Sequence, residues 1–204
     1  MDEFPEFDRE VIEALRQPLE DHAITISRAR GVITFPAQCI LIASMNPCPC
    51  GKGKGNGCTC PQHILETYWR KMSGPIMDRI DIWLNVDKID YEKLAARHST
   101  AETSDCVRKR VAKAREIQLH RFTSLGIKKC FNGEMSASDI ESCIQMSDET
   151  RSLLSTSAAK LGLSGRAFHR VIKVARTIAD LADEEIIGTE HLLEALQYRQ
   201  KGNL

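Results

Sequence analysis

Net charge is the first thing this sequence lacks. Lys+Arg and Asp+Glu both total 28 over 204 residues, so the formal charge is zero. That excludes a globally basic nucleic-acid-binding protein, while leaving room for a local basic surface. Long apolar runs are missing too: none reaches the ~18 residues of a bilayer-spanning helix. The start, Met1-Asp2-Glu3-Phe4-Pro5, is acidic and has neither the basic nor the apolar region of a secretory signal. The expectation is a soluble, cytoplasmic protein with no membrane partner. Aromatics are sparse at 5%, beside 42% hydrophobic and 27% charged residues. This ordinary globular composition excludes disorder, a collagen-like chain and a disulfide knot. No internal repeat is present, and Gly51–Gly57 is the only low-complexity stretch. The length suits one or two domains at ~150 residues each, enough to bury a core.

Cysteine, in contrast, is plentiful: there are 8. Cys39, Cys106, Cys130 and Cys143 are scattered, as small apolar thiols in a reducing compartment commonly are. Cys48, Cys50, Cys58 and Cys60 form two close pairs across a Gly-rich connector. Zn²⁺ takes four soft ligands in a tetrahedron at ~2.3 Å, which two thiol pairs can supply. The single residue inside each pair is tighter than the usual spacing of about two to four. A structural Zn²⁺ is the leading reading. The alternatives are an iron–sulfur cluster, reduced thiols in a flexible loop, or disulfides, which a reducing cytoplasm disfavours. His63 is either a replacement ligand or a residue at the start of a helix. Lys52 and Lys54 would sit on the metal-pinned tip, facing DNA phosphate or simply solvated.

Along the chain, the pattern changes near residue 90. Val11, Ile12, Leu15 and Leu19 predict a helix over 8–20, capped by Asp8. Alternation at Ala23–Ser27 and Val32–Phe35, with Gly31 between, predicts a β-hairpin with Arg28 and Arg30 at its tip. Gln38–Met45 is a short apolar run that fits a buried strand of a parallel sheet. A helix is expected over 62–72, and a strand over 79–86 with Ile80, Ile82, Leu84 and Val86 on one face. After a linker over 87–102, five helices follow. The first is long and basic, with Arg108, Lys109, Arg110, Lys113, Arg115 and Arg121. The others are capped by Ser136, Ser147, Ser164 and Thr189, and glycines punctuate them. The basic helix reads as a solvated surface or a DNA-facing one. His169 reads as packing or surface.

Four further places carry chemistry. Asp2-Glu3 is an adjacent acidic pair that can hold Mg²⁺ and polarise water, or merely two exposed acids. Asn46 ends the apolar strand, where parallel sheets bind ligands, or forms a turn before Pro47. Arg79 follows Ser73-Gly74-Pro75 and serves either an ion pair with Asp78 or Asp81 or a neighbouring subunit's phosphate. Arg166 lies in a helix's first turn, where a cation opposes the dipole unless a ligand anion is present. Arg170, Lys173 and Arg176 on the same helix fit a solvated face.

Their order is that of an AAA+ ATPase core and lid. The segments DEFPEFDREVIEALRQPLEDHAITISRA, LIASMNPCPCG, SGPIMDRIDI and LSGRAFHRVIKVARTIADL resemble the magnesium-chelatase-like AAA+ ATPases of the ComM/YifB type, over essentially the whole chain. The resemblance implies an α/β plus all-α fold. Residues 1–90 would be the C-terminal half of a P-loop ATPase core, with parallel strands, a helix and a β-hairpin insertion. Residues 91–204 would be an α-helical lid bundle. By position, Asp2 and Glu3 match the Walker B pair, Asn46 sensor 1, Arg79 the arginine finger acting in trans, and Arg166 sensor 2 at the γ-phosphate. The hairpin would face the pore, with Arg28 or Arg30 near the DNA path. The implied function is a hexameric ring ATPase, using ATP and Mg²⁺, that branch-migrates DNA in recombination or transformation.

One departure matters. No G-x-x-x-x-G-K-[ST] pattern occurs, and Gly51–Gly57 has no Lys followed by Ser or Thr. A phosphate cradle and its Lys are needed to hold ATP, so little ATP binding or hydrolysis is expected of this chain alone. The expected origin is a truncated or split form starting at Walker B. Two other functions remain in play. One is a chelatase subunit driving Mg²⁺ into a porphyrin; the other is a non-enzymatic zinc-stabilised module that binds DNA or protein.

Overall fold

The computed structural model describes residues 1–53, 57–86 and 102–199. Lys54, and all but the last residue of the linker expected over 87–102, lie outside the described residues. Two compact units are present, Met1–Ile80 and Asp81–Leu204.

The first unit opens with a 3-10 turn, Phe4–Glu6, followed by helices α1 (Arg9–Ala14) and α2 (Arg16–Asp21). One helix was expected here. Pro18 explains the interruption: its ring displaces the carbonyl four residues back, which is Ala14, where α1 stops. Asp8 stands at the cap position without using its side chain. The hairpin forms as expected, from β1 (Ala23–Arg28) and β2 (Gly31–Pro36). The strands are antiparallel, and Arg28 pairs with Gly31, leaving Ala29 and Arg30 as the tip. Ile24 lies opposite Phe35 and Ile26 opposite Ile33, so four exposed apolar side chains share one face.

The parallel sheet expected of the α/β half is corrected. Among the described residues the only sheet is this hairpin. Residues 38–45 form no helix or strand, and Ile40 and Ile42 are 84% and 77% exposed. A parallel strand needs partners on its edges and helices on both faces. Residues 42–44 pair with residues 1–4. Met1 donates its nitrogen to the Ile42 carbonyl (2.7 Å) and accepts from Ser44 N–H (2.9 Å), the slanted pairing of a parallel ladder. Helix α3 (Gln62–Arg70) follows, and then the single turn α4 (Gly74–Met77). The strand expected over 79–86 is also absent. Ile82, Leu84 and Val86 are exposed, and the Trp83 N–H donates to the Tyr198 carbonyl at 2.8 Å rather than to a sheet.

The second unit is helical: α5 (Ser104–Ser124), α6 (Ala137–Cys143), α7 (Asp148–Leu161), α8 (Gly165–Leu181) and α9 (Thr189–Gln197). Thr103, Ser136, Ser147 and Ser164 each cap a helix through the side-chain oxygen, satisfying one of the free N–H groups of the first turn. Gly162, at φ +60, ends α7 in the left-handed conformation that suits glycine. Thr189 does not cap α9. That position belongs to Gly188, whose N–H donates to Nδ1 of His191 at 3.0 Å. The core gathers Phe122, Leu154, Val171, Ile172, Ile187 and Leu192.

The solvated face expected on α8 is corrected in part. Arg176 is 1% exposed and Asp180 equally buried. Asp180 accepts from Arg176 Nε (3.1 Å), Asn132 Nδ2 (2.7 Å) and Arg121. Arg176 also donates to the Glu185 carbonyl at 2.5 Å. Arg121 is thereby withdrawn from the basic surface of α5. Arg108 and Lys109 pair with Asp105, Arg110 with Glu102, and Lys113 with Asp183, in exposed ion pairs. His169 packs edge-on to Phe168. No helix among the described residues is long and apolar enough to cross a membrane.

Candidate metal centre and nucleotide-site residues

The cysteine loop closes on itself. The sulfurs of Cys48, Cys50, Cys58 and Cys60 all lie within 4.8 Å of one another. Cys48 to Cys50 is 3.3 Å, Cys48 to Cys58 3.5 Å, and Cys50 to Cys58 3.6 Å. A tetrahedron with ~2.3 Å metal–sulfur bonds has edges of about 3.8 Å. The four sulfurs are therefore nearly at the spacing a single metal ion imposes, with no disulfide between them.

Backbone N–H groups support the cluster. Gly53 donates to Cys48 Sγ at 3.2 Å and Cys60 to Cys58 Sγ at 3.4 Å. The Lys52 N–H and the Cys48 thiol favour ionised Cys50, whose pKa falls to about 6. The Cys60 N–H acts the same way on Cys58, but neighbouring thiols and burial outweigh it and push Cys58 up to about 12. Cys60 is also raised, chiefly by Cys50. Without a cation, hydrogen bonds with the neighbouring sulfurs and burial keep Cys58 and Cys60 protonated. A bound divalent ion instead favours ionisation, since the thiolate is the ligand. Of the tip lysines, Lys52 is exposed, and Lys54 lies outside the described residues. His63, in the first turn of α3, is not part of the cluster.

The acidic pair lies in a segment that pairs with the residues leading to Asn46. Asp2 accepts from the Ser44 hydroxyl and from the Glu3 N–H (3.1 Å), and the Ser44 bond leads in holding its carboxyl below the ordinary range. Ser44 stands two residues before Asn46, so the pairing of residues 1–4 with 42–44 sets both acids beside Asn46's segment. Glu3 takes a left-handed conformation, φ 49, as the chain turns into the first 3-10 turn. Asn46 is exposed, and its carbonyl accepts from the Tyr68 hydroxyl at 2.9 Å. Ser44 and Tyr68 escaped the sequence reading. A hydroxyl two residues before Asn46 and a phenol on the helix after the loop were the available signals.

Arg79 is 9% exposed. Its guanidinium meets Glu20 at 2.5 Å and the Pro75 carbonyl at 2.6 Å. An ion pair was one expectation, but its partner is Glu20 rather than Asp78 or Asp81. Arg28 and Arg30 are exposed at the hairpin tip. In the second unit, Arg166 is exposed in the first turn of α8. A cavity of ≈ 410 Å³ opens elsewhere on α8, between Lys173, Val174 and Ile178 and the segment bearing Ile82 and Leu84. Arg170 at its rim is paired with Asp81 at 2.5 Å.

Comparison with known proteins defines the class. Residues 1–94 match the family model for magnesium chelatase, subunit ChlI, and residues 101–199 match that for the C-terminal part of the same subunit. The chain belongs to the magnesium-chelatase-like family. Within it, the chain is 44% identical over 200 residues to competence protein ComM of Haemophilus influenzae. It is 40% identical over 200 residues to the YifB protein of Salmonella typhimurium and 38% over 199 residues to that of Escherichia coli. Each alignment covers 98% of this chain and 38% of the relative, so the chain spans well under half the length of these proteins.

Proposed function

We propose that these 204 residues are the Walker B-to-lid portion of a ring-forming AAA+ ATPase that couples ATP hydrolysis to movement on branched DNA. The proposed process is recombination or the uptake of DNA in competence. The relative named as a competence protein supports that process. The observation that carries the ATPase reading is the pairing of residues 1–4 with 42–44, which sets Asp2 and Glu3 beside the segment ending in Asn46.

In this reading, Asp2 offers the hard carboxylate oxygen that Mg²⁺ prefers, and Glu3 takes the proton of the attacking water. The cation, when bound, offsets phosphate charge. Asn46 orients the water. Arg166, at the positive end of α8, meets the γ-phosphate. Arg79 acts on the next protomer after exchanging Glu20 for phosphate. The core and lid divide near 90/91. The cysteine cluster holds a structural Zn²⁺, and Arg28, Arg30 and Lys52 face DNA, joined by Lys54. The ring is hexameric and the compartment cytoplasmic.

A second reading has a specific observation behind it: both matching family models are described for a magnesium chelatase subunit. The same residues would then drive Mg²⁺ insertion into a porphyrin. A third, non-enzymatic reading makes the zinc-stabilised unit a DNA- or protein-binding module. It draws on the cysteine cluster and on the absence of a G-x-x-x-x-G-K-[ST] pattern.

One set of measurements separates them. Calorimetry with ATP should detect no binding to this chain alone. ATP hydrolysis should appear when a polypeptide bearing the phosphate loop is added, rise with forked DNA, and vanish in Glu3→Gln. Micromolar ATP binding by the chain itself would overturn the role given to the missing loop. Hydrolysis that answers to porphyrin and not to DNA would favour the chelatase. Tight, salt-sensitive binding of forked DNA without nucleotide, and no hydrolysis on complementation, would favour the binding module.

A further inference from the structure

The loop carrying the cysteines leaves the chain at Asn46-Pro47 and returns at Pro61, directly into α3. Helix α3 and its C-cap residue Lys71 then touch the rest of the first unit at two further points. Tyr68, 6% exposed, donates its hydroxyl to the Asn46 carbonyl at 2.9 Å. Lys71 meets the Glu6 carboxylate at 3.3 Å, three residues after Glu3. Inside the loop, Gly53, at φ +75, lies so close to Pro47 that a Cβ would come within 3.0 Å of its ring. Cys48, 1% exposed, is two residues from Asn46, and Cys60 is two residues before α3.

We infer that Tyr68 is a positioning residue coupling the metal loop to Asn46, so that filling the cysteine cluster orders the candidate sensor. The inference rests on the metal and nucleotide readings above. A metal that draws the four sulfurs together fixes both ends of the loop. Cys48 then holds Pro47 and Asn46 from one side, and Cys60 sets the start of α3 on the other. With both ends set, the Tyr68 hydroxyl is held at the Asn46 carbonyl. The hydrogen bond and the metal therefore stabilise one another, and this coupling is reciprocal. A phenol is required rather than a phenyl, because removing the hydroxyl leaves the carbonyl beside Tyr68 without its donor. A purely packing role for Tyr68 would be met equally by Phe.

The test uses Co²⁺, whose thiolate charge-transfer bands report tetrahedral sulfur ligation, together with the ¹³C resonance of the Asn46 carbonyl. In the unaltered chain, Co²⁺ should produce the bands, and diamagnetic Zn²⁺, which adds no paramagnetic shift to nearby nuclei, should move the Asn46 resonance. In Tyr68→Phe, Co²⁺ affinity should fall about fivefold, the worth of one net hydrogen bond, and the movement at Asn46 should shrink. Tyr198→Phe, which removes a hydroxyl from the second unit, should change neither. Equal Co²⁺ affinity and an equal Asn46 response in Tyr68→Phe would overturn the coupling while leaving the metal reading intact. No bands in the unaltered chain would overturn the metal reading and the coupling with it. Should Tyr68→Phe fail to fold, the unaltered chain still decides: an Asn46 resonance indifferent to Zn²⁺ overturns the inference.

Discussion

The two units solve the same problem differently. Asp81–Leu204 closes a core of twelve mutually packed buried residues and uses side-chain caps on four helices. Met1–Ile80 buries Phe4, Ile12, Cys48, Tyr68, Met72 and Ile76 but exposes Ile24, Ile26, Ile33, Phe35, Ile40 and Ile42. A two-stranded hairpin is marginal in water by itself, and among the described residues the backbone bonds of residues 42–44 run to residues 1–4 without building a second sheet. The helical unit is thus held by its own apolar interior. The first unit leans on polar and ligand-like ties: the sulfur cluster, the Tyr68 bond and the Arg79–Glu20 pair. The Arg79–Glu20 pair depends on charge, and the sulfur cluster, on the reading proposed above, depends on a metal.

The sharpest way to break this contrast is to deny the first unit the metal proposed for its cysteine cluster. Structural zinc contributes on the order of 10–16 kcal/mol in small domains that fold around it. Stripping the protein with a strong chelator, or making Cys48→Ser, should abolish the calorimetric transition of residues 1–80 and leave that of the helical unit in place. Survival of both transitions would show that the first unit also stands on its apolar core. The next largest effect lies in the other unit. Asp180→Ala strands Arg176 and Arg121 at a buried site and should cost about 3–5 kcal/mol. The helical transition should move down, and the metal content should not change. A fall in metal content would mean that the two units are not separable.

That buried Asp180 network also marks where reading the sequence ran out. Arg170, Lys173 and Arg176 look alike on paper, but only Arg176 has Asp180 four residues on, facing Asn132 and Arg121 from other elements. A charge is buried by partners distant in sequence, and periodicity is blind to them. The same limit applies to residues 38–45 and 79–86. An apolar run declares that a segment could be covered, whereas its strand partners are a tertiary matter. What was legible was local. Alternation around Gly31 predicts the hairpin, and Ser136, Ser147 and Ser164 announce their helices because capping needs only one hydroxyl and the next turn's N–H. Paired spacing in the cysteine loop foretold its closure, because its four residues lie within one short stretch. Asp2, Glu3 and Asn46 were singled out from the sequence, but the Ser44 bond to Asp2 and the Tyr68 bond to Asn46 were not.

Two smaller perturbations sharpen the claim that the helical unit carries its own stability. Ser147→Ala removes the acceptor for the Thr150 N–H at 3.1 Å. It should lower the helical transition by about 1 kcal/mol, with Co²⁺ uptake unchanged. Acid should act more gently and in a set direction. The Lys129 ammonium, with Ser136, holds the Asp139 carboxyl at about 2, below its ordinary 3.8. A group depressed in this way adds stability that is complete above the ordinary value and is lost as pH falls from about 4 through 2. Helical-unit stability should decline over that window, and Asp139→Asn should flatten the decline. The cysteine cluster should respond earlier on the same descent, since Cys50 takes up a proton near 6 when no cation opposes it, and metal affinity falls as thiolates protonate. On acidification the metal should therefore leave before the helical unit weakens. The opposite order, helices first and metal after, would reverse the assignment of which half depends on its ligand.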